Sequence, residues 1–144
     1  MKKYKFFLIT SAFQLIYCSL ITKIKKKDSK NYFIVIFHPL NNEFTKNSII
    51  YLAKKLKIFN IIDLRNEFKN YHLKTSKKIN IFNKFKKENI KTEKVLKEKF
   101  ISQIIHKIPK YKNMEFYLRN NYGINEQIFI DIFSDKKFYG FLDG

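Results

Sequence analysis

Glycine is scarce in this chain: Gly123, Gly140 and Gly144 are the only three. Neither a G-x-G-x-x-G turn nor a P-loop can be written with them, because both need several glycines at close spacing to bring backbone amides against phosphate. A self-contained dehydrogenase, kinase or ATPase of the familiar kinds is thereby excluded. Cysteine is scarcer still. Cys18 stands alone, so the chain can build neither an internal disulfide framework nor a cysteine zinc cluster, and a reducing cytoplasm suits it. The three histidines, His38, His72 and His106, have no metal-ligand spacing, and no metal is expected. Arginine occurs only at Arg65 and Arg119, against 28 lysines. Arginine is the residue of bidentate phosphate and guanine contacts, so sequence-specific reading of nucleic acid is not expected. The chain also lacks an internal repeat, a Pro- or Ser-rich linker and a clean transmembrane run. The stretch from Phe6 to Thr22 is interrupted by Thr10, Ser11, Gln14 and Ser19, and falls short of about 20 apolar residues. Ile16 and Tyr17, just before Cys18, are too large for a typical signal-processing site.

What is present is apolar and basic. Hydrophobic residues make up 45% of the 144 residues, with 16 Phe and 9 Tyr, which is enough for one domain with a core and too aromatic for a disordered tail. The formal net charge is +18. Compositional bias toward Lys, Asn, Ile and Phe accounts for part of it. Attraction to an anionic membrane surface is the functional reading, most of all for the lysines between Lys74 and Lys99.

The order of apolar segments is informative. Apolar segments at 4–10, 32–38, 59–65, 114–119 and 137–142 predict strands; the first is continuously apolar, of the kind a parallel sheet buries on both faces, and the last also reads as buried. Between them, residues 12–24 carry Phe13, Ile16, Tyr17, Leu20, Ile21 and Ile24 at helical spacing, which predicts a helix with one apolar face. Ser11 is its expected cap. A second helix is expected after Thr45 as cap, a long Lys-rich one from about Ile90 to Pro109, and a short one over 124–133. The segment 74–89 reads either as a helix or as a basic segment lying on a surface. Strands alternating with helices predict an α/β fold, a Rossmann-like parallel sheet flanked by helices, in a single domain over 1–144.

In such sheets the ligand site is built at the carboxyl ends of the strands. Two sequence features fall there. "TSAFQ" at 10–14 opens the first helix, and Ser11 and Gln14 stand at capping-box spacing; the same turn offers free N–H groups to an anion or a sugar hydroxyl. "LDG" at 142–144 places Asp143 at the end of the last strand, where a carboxylate can take a proton from an attacking hydroxyl. Gly144 lets a substrate approach. Taken singly, a helix cap and an Asp-Gly turn explain both. His38 ends the second strand on the same edge.

Together these motifs resemble the N-terminal half of bacterial sialyltransferases that build lipooligosaccharide and capsule. The resemblance implies one half of a GT-B fold, the acceptor side, with the donor-binding C-terminal domain absent from 1–144 and the isolated chain inactive. It implies transfer of sialic acid from CMP-sialic acid to a sugar hydroxyl of a glycan acceptor, with no cofactor and no metal. Asp143 would be the catalytic base, and Ser11, Gln14 and Gly144 would line the substrate cleft. The family has an acidic pair before the glycine, whereas Leu142 stands here in place of the first acid. His38-Pro39 lies too early to be the family's donor-phosphate His-Pro. The location expected is cytoplasmic, peripheral on the inner face of the membrane. Two other classes stay open: a basic non-enzymatic module binding nucleic acid or an anionic membrane surface, and a glycosyltransferase-like remnant with a structural or regulatory role.

Overall fold

The structure is a computed structural model that describes residues 2–24, 29–36, 43–79, 86–120 and 123–141. Five strands are present: β1 (Lys3–Ile9), β2 (Ser29–Val35), β3 (Ile61–Asp63), β4 (Met114–Arg119) and β5 (Lys137–Phe141). They form one sheet in the order β3-β2-β1-β4-β5, and every pairing is parallel. The helices are α1 (Ala12–Ile24), α2 (Glu43–Lys55), α3 (Arg65–Ile79), α4 (Lys86–Lys107) and α5 (Ile124–Ile132). This is the Rossmann-like α/β fold that the alternating pattern predicts.

Helices lie on both faces. Leu15 and Cys18 of α1 and Ile49 and Ala53 of α2 pack on Phe7, Ile9, Phe33 and Val35. Phe68 of α3, Phe100 and Ile104 of α4 and Phe129 of α5 pack on Phe6, Leu8, Ile34 and Phe116. Successive strand residues point to opposite faces, so adjacent aromatics in each strand build two ladders across the sheet. Tyr32, Phe6, Phe116 and Phe138 stack with centroid separations of 4.9, 5.2 and 5.3 Å. On the other face Phe33, Phe7, Tyr117 and Tyr139 stack at 5.4, 4.8 and 5.1 Å. The dipeptides Phe6-Phe7, Tyr32-Phe33, Phe116-Tyr117 and Phe138-Tyr139 therefore lock the register of four strands. A slip of one residue would turn a strand's aromatics to the opposite face and break both ladders.

Several expectations are corrected. β2 begins at Ser29, three residues before the apolar run, because ladder bonds to β1 hold polar Ser29, Lys30 and Asn31 as well. β3 is only Ile61–Asp63, and Arg65 already opens α3. Thr45 lies inside α2, which starts at Glu43. The 65–79 segment is one helix, hidden in the sequence because Phe68 and Tyr71 are nearly its only apolar anchors. Residues 80–85 lie outside the described residues. β5 is an edge strand and not a buried one: Tyr139 is 41% exposed, since β5 pairs only with β4.

Helix α1 turns its less apolar side to the sheet. Its core face holds Leu15 and Cys18 beside polar Gln14 and Ser19, each 4% exposed. Of the apolar stripe, Phe13, Ile16, Leu20 and Ile24 point outward, while Tyr17 packs against the core. Periodicity locates a stripe on a helix, but not the side from which the sheet approaches.

Candidate functional site

A parallel sheet collects all its strand C-termini on one edge. Asp63, Val35 and Ile9 lie level across β3, β2 and β1, and Arg119 and Phe141 lie level across β4 and β5. The order β3-β2-β1-β4-β5 reverses direction between β1 and β4, and this switch point is where open α/β sheets bind ligands. The turns that follow β1 and β4 form its two walls.

The β1 wall is held by an altered capping box. Ser11 Oγ accepts the Gln14 backbone N–H at 3.2 Å, the expected cap. The Gln14 side chain reaches one residue past Ser11. Its Oε1 accepts the Thr10 backbone N–H at 2.8 Å and the Thr10 hydroxyl at 3.0 Å. Both Thr10 and Gln14 are buried, so the last turn of β1 is tied to the first turn of α1. The Gln14 oxygen fixes the wall, and the Ser11 hydroxyl stands at its rim, partly exposed.

The β4 wall is built around a carboxylate that sequence reading passed over. Arg119 Nε donates to Glu126 Oε1 at 2.7 Å, and the Gly123 N–H donates to Glu126 Oε2 at 2.9 Å. The Glu126 side chain is 3% exposed and that of Arg119 is 21% exposed. One carboxylate thus caps α5 and holds a guanidinium at the end of β4. Gly123 and Glu126 stand three apart, the capping-box spacing, and that was the available signal. Beside it, His72 Nε2 and Asn125 Oδ1 lie 2.7 Å apart, joining α3 to α5. Asn120 follows β4, and a Cβ on Gly140 would fall 1.9 Å from its Oδ1. Glycine at 140 is what lets the Asn120 amide lie against β5.

At the β3 end, Arg65 forks onto Asp63, with Nε to Oδ1 at 2.9 Å and Nη2 to Oδ2 at 2.7 Å. Burial works against the Asp63 carboxylate, but the Arg65 hydrogen bonds and charge outweigh it and hold its carboxyl below the ordinary value. Both arginines of the chain therefore sit on the C-terminal edge, and each is engaged by a carboxylate.

His38, Asp143 and Gly144 lie outside the described residues, as do all of 37–42 and 142–144. The strands that lead to them, β2 and β5, end on the same edge as β1. Of the four sequence-predicted site residues, Ser11 and Gln14 are brought to the switch point. Among the described residues no group of three or more His, Cys, Asp or Glu could hold a metal ion, and no helix is long and apolar enough to cross a membrane.

Two cavities lie elsewhere. One of about 340 Å³ opens at the N-terminal edge between Lys3, Lys112, Lys136 and Lys137, with Glu115 and Asp135 in its wall. Another, about 270 Å³, runs beside α1 under Tyr17 and Ile21, over Lys5 and Tyr117. Comparison with protein-family models, with curated proteins and with solved structures returns no match for this chain.

Proposed function

We propose that this chain is the acceptor-side half of a GT-B glycosyltransferase of the sialyltransferase kind, one that serves lipooligosaccharide or capsule synthesis. The observation that carries the reading is the switch point between β1 and β4, with its Ser11-capped wall, on a Rossmann-like sheet without a glycine-rich phosphate loop. A cleft wall without such a loop suits a sugar hydroxyl better than a nucleotide. In the reaction, Asp143 takes the proton of the acceptor hydroxyl. The acceptor oxygen then forms a bond to the anomeric carbon of sialic acid, the bond from that carbon to phosphate oxygen breaks, and CMP leaves with the electron pair. Ser11, Gln14 and Gly144 shape the acceptor cleft. Donor binding belongs to a second Rossmann-like half, so the chain by itself turns nothing over; orientation of both substrates supplies about 7–11 kcal/mol of such a barrier.

The test titrates the labelled chain with a galactose-ended glycan and, separately, with CMP. The glycan should move the amide resonances of Ser11, Asn120 and Gly123, and CMP should leave them in place. Silence toward the glycan, or transfer of sialic acid by the chain alone, would sink the reading. Once joined to a donor-binding half, Asp143→Asn should lower the rate by on the order of 10²–10⁴.

For partners, we propose peripheral contact with an anionic membrane from the cytoplasmic side, favoured by the +18 charge. With Arg65 and Arg119 both engaged by carboxylates, the contact relies on lysines, which suit diffuse attraction to a surface more than bidentate base reading. A basic non-enzymatic module is the alternative. Tight, sequence-selective binding of a DNA oligomer at physiological salt would favour it.

A further inference from the structure

Helix α1 is built inside out. Its sheet-facing side buries Gln14 and Ser19 along with Leu15 and Cys18. Its outer side carries Phe13, Ile16, Leu20 and Ile24, at the spacing i, i+3, i+7, i+11, within one helical stripe, while Tyr17 at the edge of that stripe packs against the core. Phe13 is 56% exposed, Ile16 40%, Leu20 52% and Ile24 81%. A soluble surface helix places polar residues there, and a continuous apolar stripe of this length marks an interaction surface.

We infer that the outer stripe of α1 lies in the headgroup–acyl boundary of an anionic lipid bilayer, and that it, more than the lysines of 74–99, docks the protein. The inference rests on the proposed membrane contact and names its surface. Charge selects the occupant. Residues 1–27 hold seven lysines and no Asp or Glu. Lys23 stands in the last turn of α1, and Lys25, Lys26 and Lys27 follow it in sequence. Lys5, whose ammonium lies 5.8 Å from the centre of the Tyr117 ring, and Lys137 lie on strand positions that project to the α1 face. Two copies meeting through this surface would bring like charges together. An anionic bilayer meets the apolar stripe with acyl chains and the flanking lysines with headgroups, the pattern of an interfacial amphipathic helix.

Vesicles of phosphatidylcholine, with and without phosphatidylglycerol, provide the probe. Four chains are compared by co-sedimentation: the parent, Leu20→Glu, Ile24→Glu, and Lys91→Glu/Lys94→Glu on the exposed face of α4. Circular dichroism checks the fold of each, and both α1 positions are open enough to accept a charge. The parent should bind the anionic vesicles and leave the neutral ones. Each α1 variant should lose on the order of tenfold in partitioning, and the α4 variant less. A Phe13→Trp chain, which then holds the only Trp, should shift its emission to the blue on anionic vesicles; attraction by charge alone would leave it unmoved. If the α4 variant loses binding while the α1 variants keep it, the α1 inference falls and the membrane contact stands. If the parent binds no vesicle at low salt, both fall. A dimer that Leu20→Glu dissociates would assign the stripe to a second copy and overturn the inference.

Discussion

At the scale of single residues, Glu126 does more than its position in the sequence suggests. It caps α5 through the Gly123 N–H and holds Arg119 at the switch point. Removing it leaves a guanidinium that is four-fifths enclosed and an open helix N-terminus. Glu126→Ala should therefore cost about 2–3 kcal/mol. That is less than for a wholly buried pair, because Arg119 keeps some access to water. Urea unfolding measures it. A loss under about 0.5 kcal/mol would class the pair with ordinary surface pairs, and Arg119→Ala/Glu126→Ala should cost less than the two single changes summed. Gln14 shows how far a local motif can be read. Its spacing from Ser11 announced a capping box, and the cap formed. The side chain turned to Thr10 instead of Ser11, a choice set by where β1 ends and not by the spacing. Arg119 and Glu126 were harder to see, since a charged residue ending an apolar strand looks like solvated surface until its partner is known.

At the scale of elements, legibility followed apolar density. β1, β2 and β4 were plain because both faces of a parallel strand are buried, and the chain spells this out as "KFFLI", "YFIV" and "EFYLR". The 65–79 helix was illegible because α3 meets the core through little more than Phe68 and Tyr71, the latter stacked on Phe100 at 4.3 Å; its stability is tertiary and leaves little local trace. The end of α2 shows a different limit. Ile58 N–H donates to the Ala53 carbonyl at 2.9 Å, and Lys57 N–H donates to that of Lys54 at 3.1 Å. This is a Schellman ending with Lys57 at φ 55°, a left-handed position that glycine usually fills. A chain with three glycines in 144 residues places lysine there and bears the strain. Lys57→Gly should stabilise the protein by about 0.5–1 kcal/mol, read as a rise in denaturation midpoint. A loss of stability would mean that the lysine stem contributes more by packing than the backbone gives up.

At the scale of the whole molecule, the same chain must be dense with aromatics inside and positive outside, and the two set its response to pH. Self-repulsion at +18 disfavours the compact state, so added salt should raise the melting temperature near neutrality. Inside, burial pushes the Cys18 thiol up to about 12, and burial together with the Glu115 carboxylate pushes Tyr117 up to about 12. In the unfolded chain the thiol ionises near 8.5 and the phenol near 10. Below those values the groups are neutral in both states, and their full contribution is present. Above them the unfolded chain loses protons that the folded chain keeps, so stability declines with rising pH. Lysines are half discharged near 10.4, and the first of the 28 lose charge from about pH 9, which relieves repulsion and acts in the opposite direction. The cleanest window is therefore from about pH 7.5 to 9, where Cys18 titrates in the unfolded chain and nearly all the lysines keep their charge. Thermal melts across that window should show the melting temperature falling, and Cys18→Ala should flatten the fall. Alkylation gives an independent reading: at pH 8.5 iodoacetamide should modify the unfolded chain readily and the folded chain only as fast as it opens. A melting temperature that stays level from about pH 7.5 to 9 in the parent, with rapid alkylation of the folded chain, would place Cys18 in contact with water and contradict the packing of α1 on the sheet.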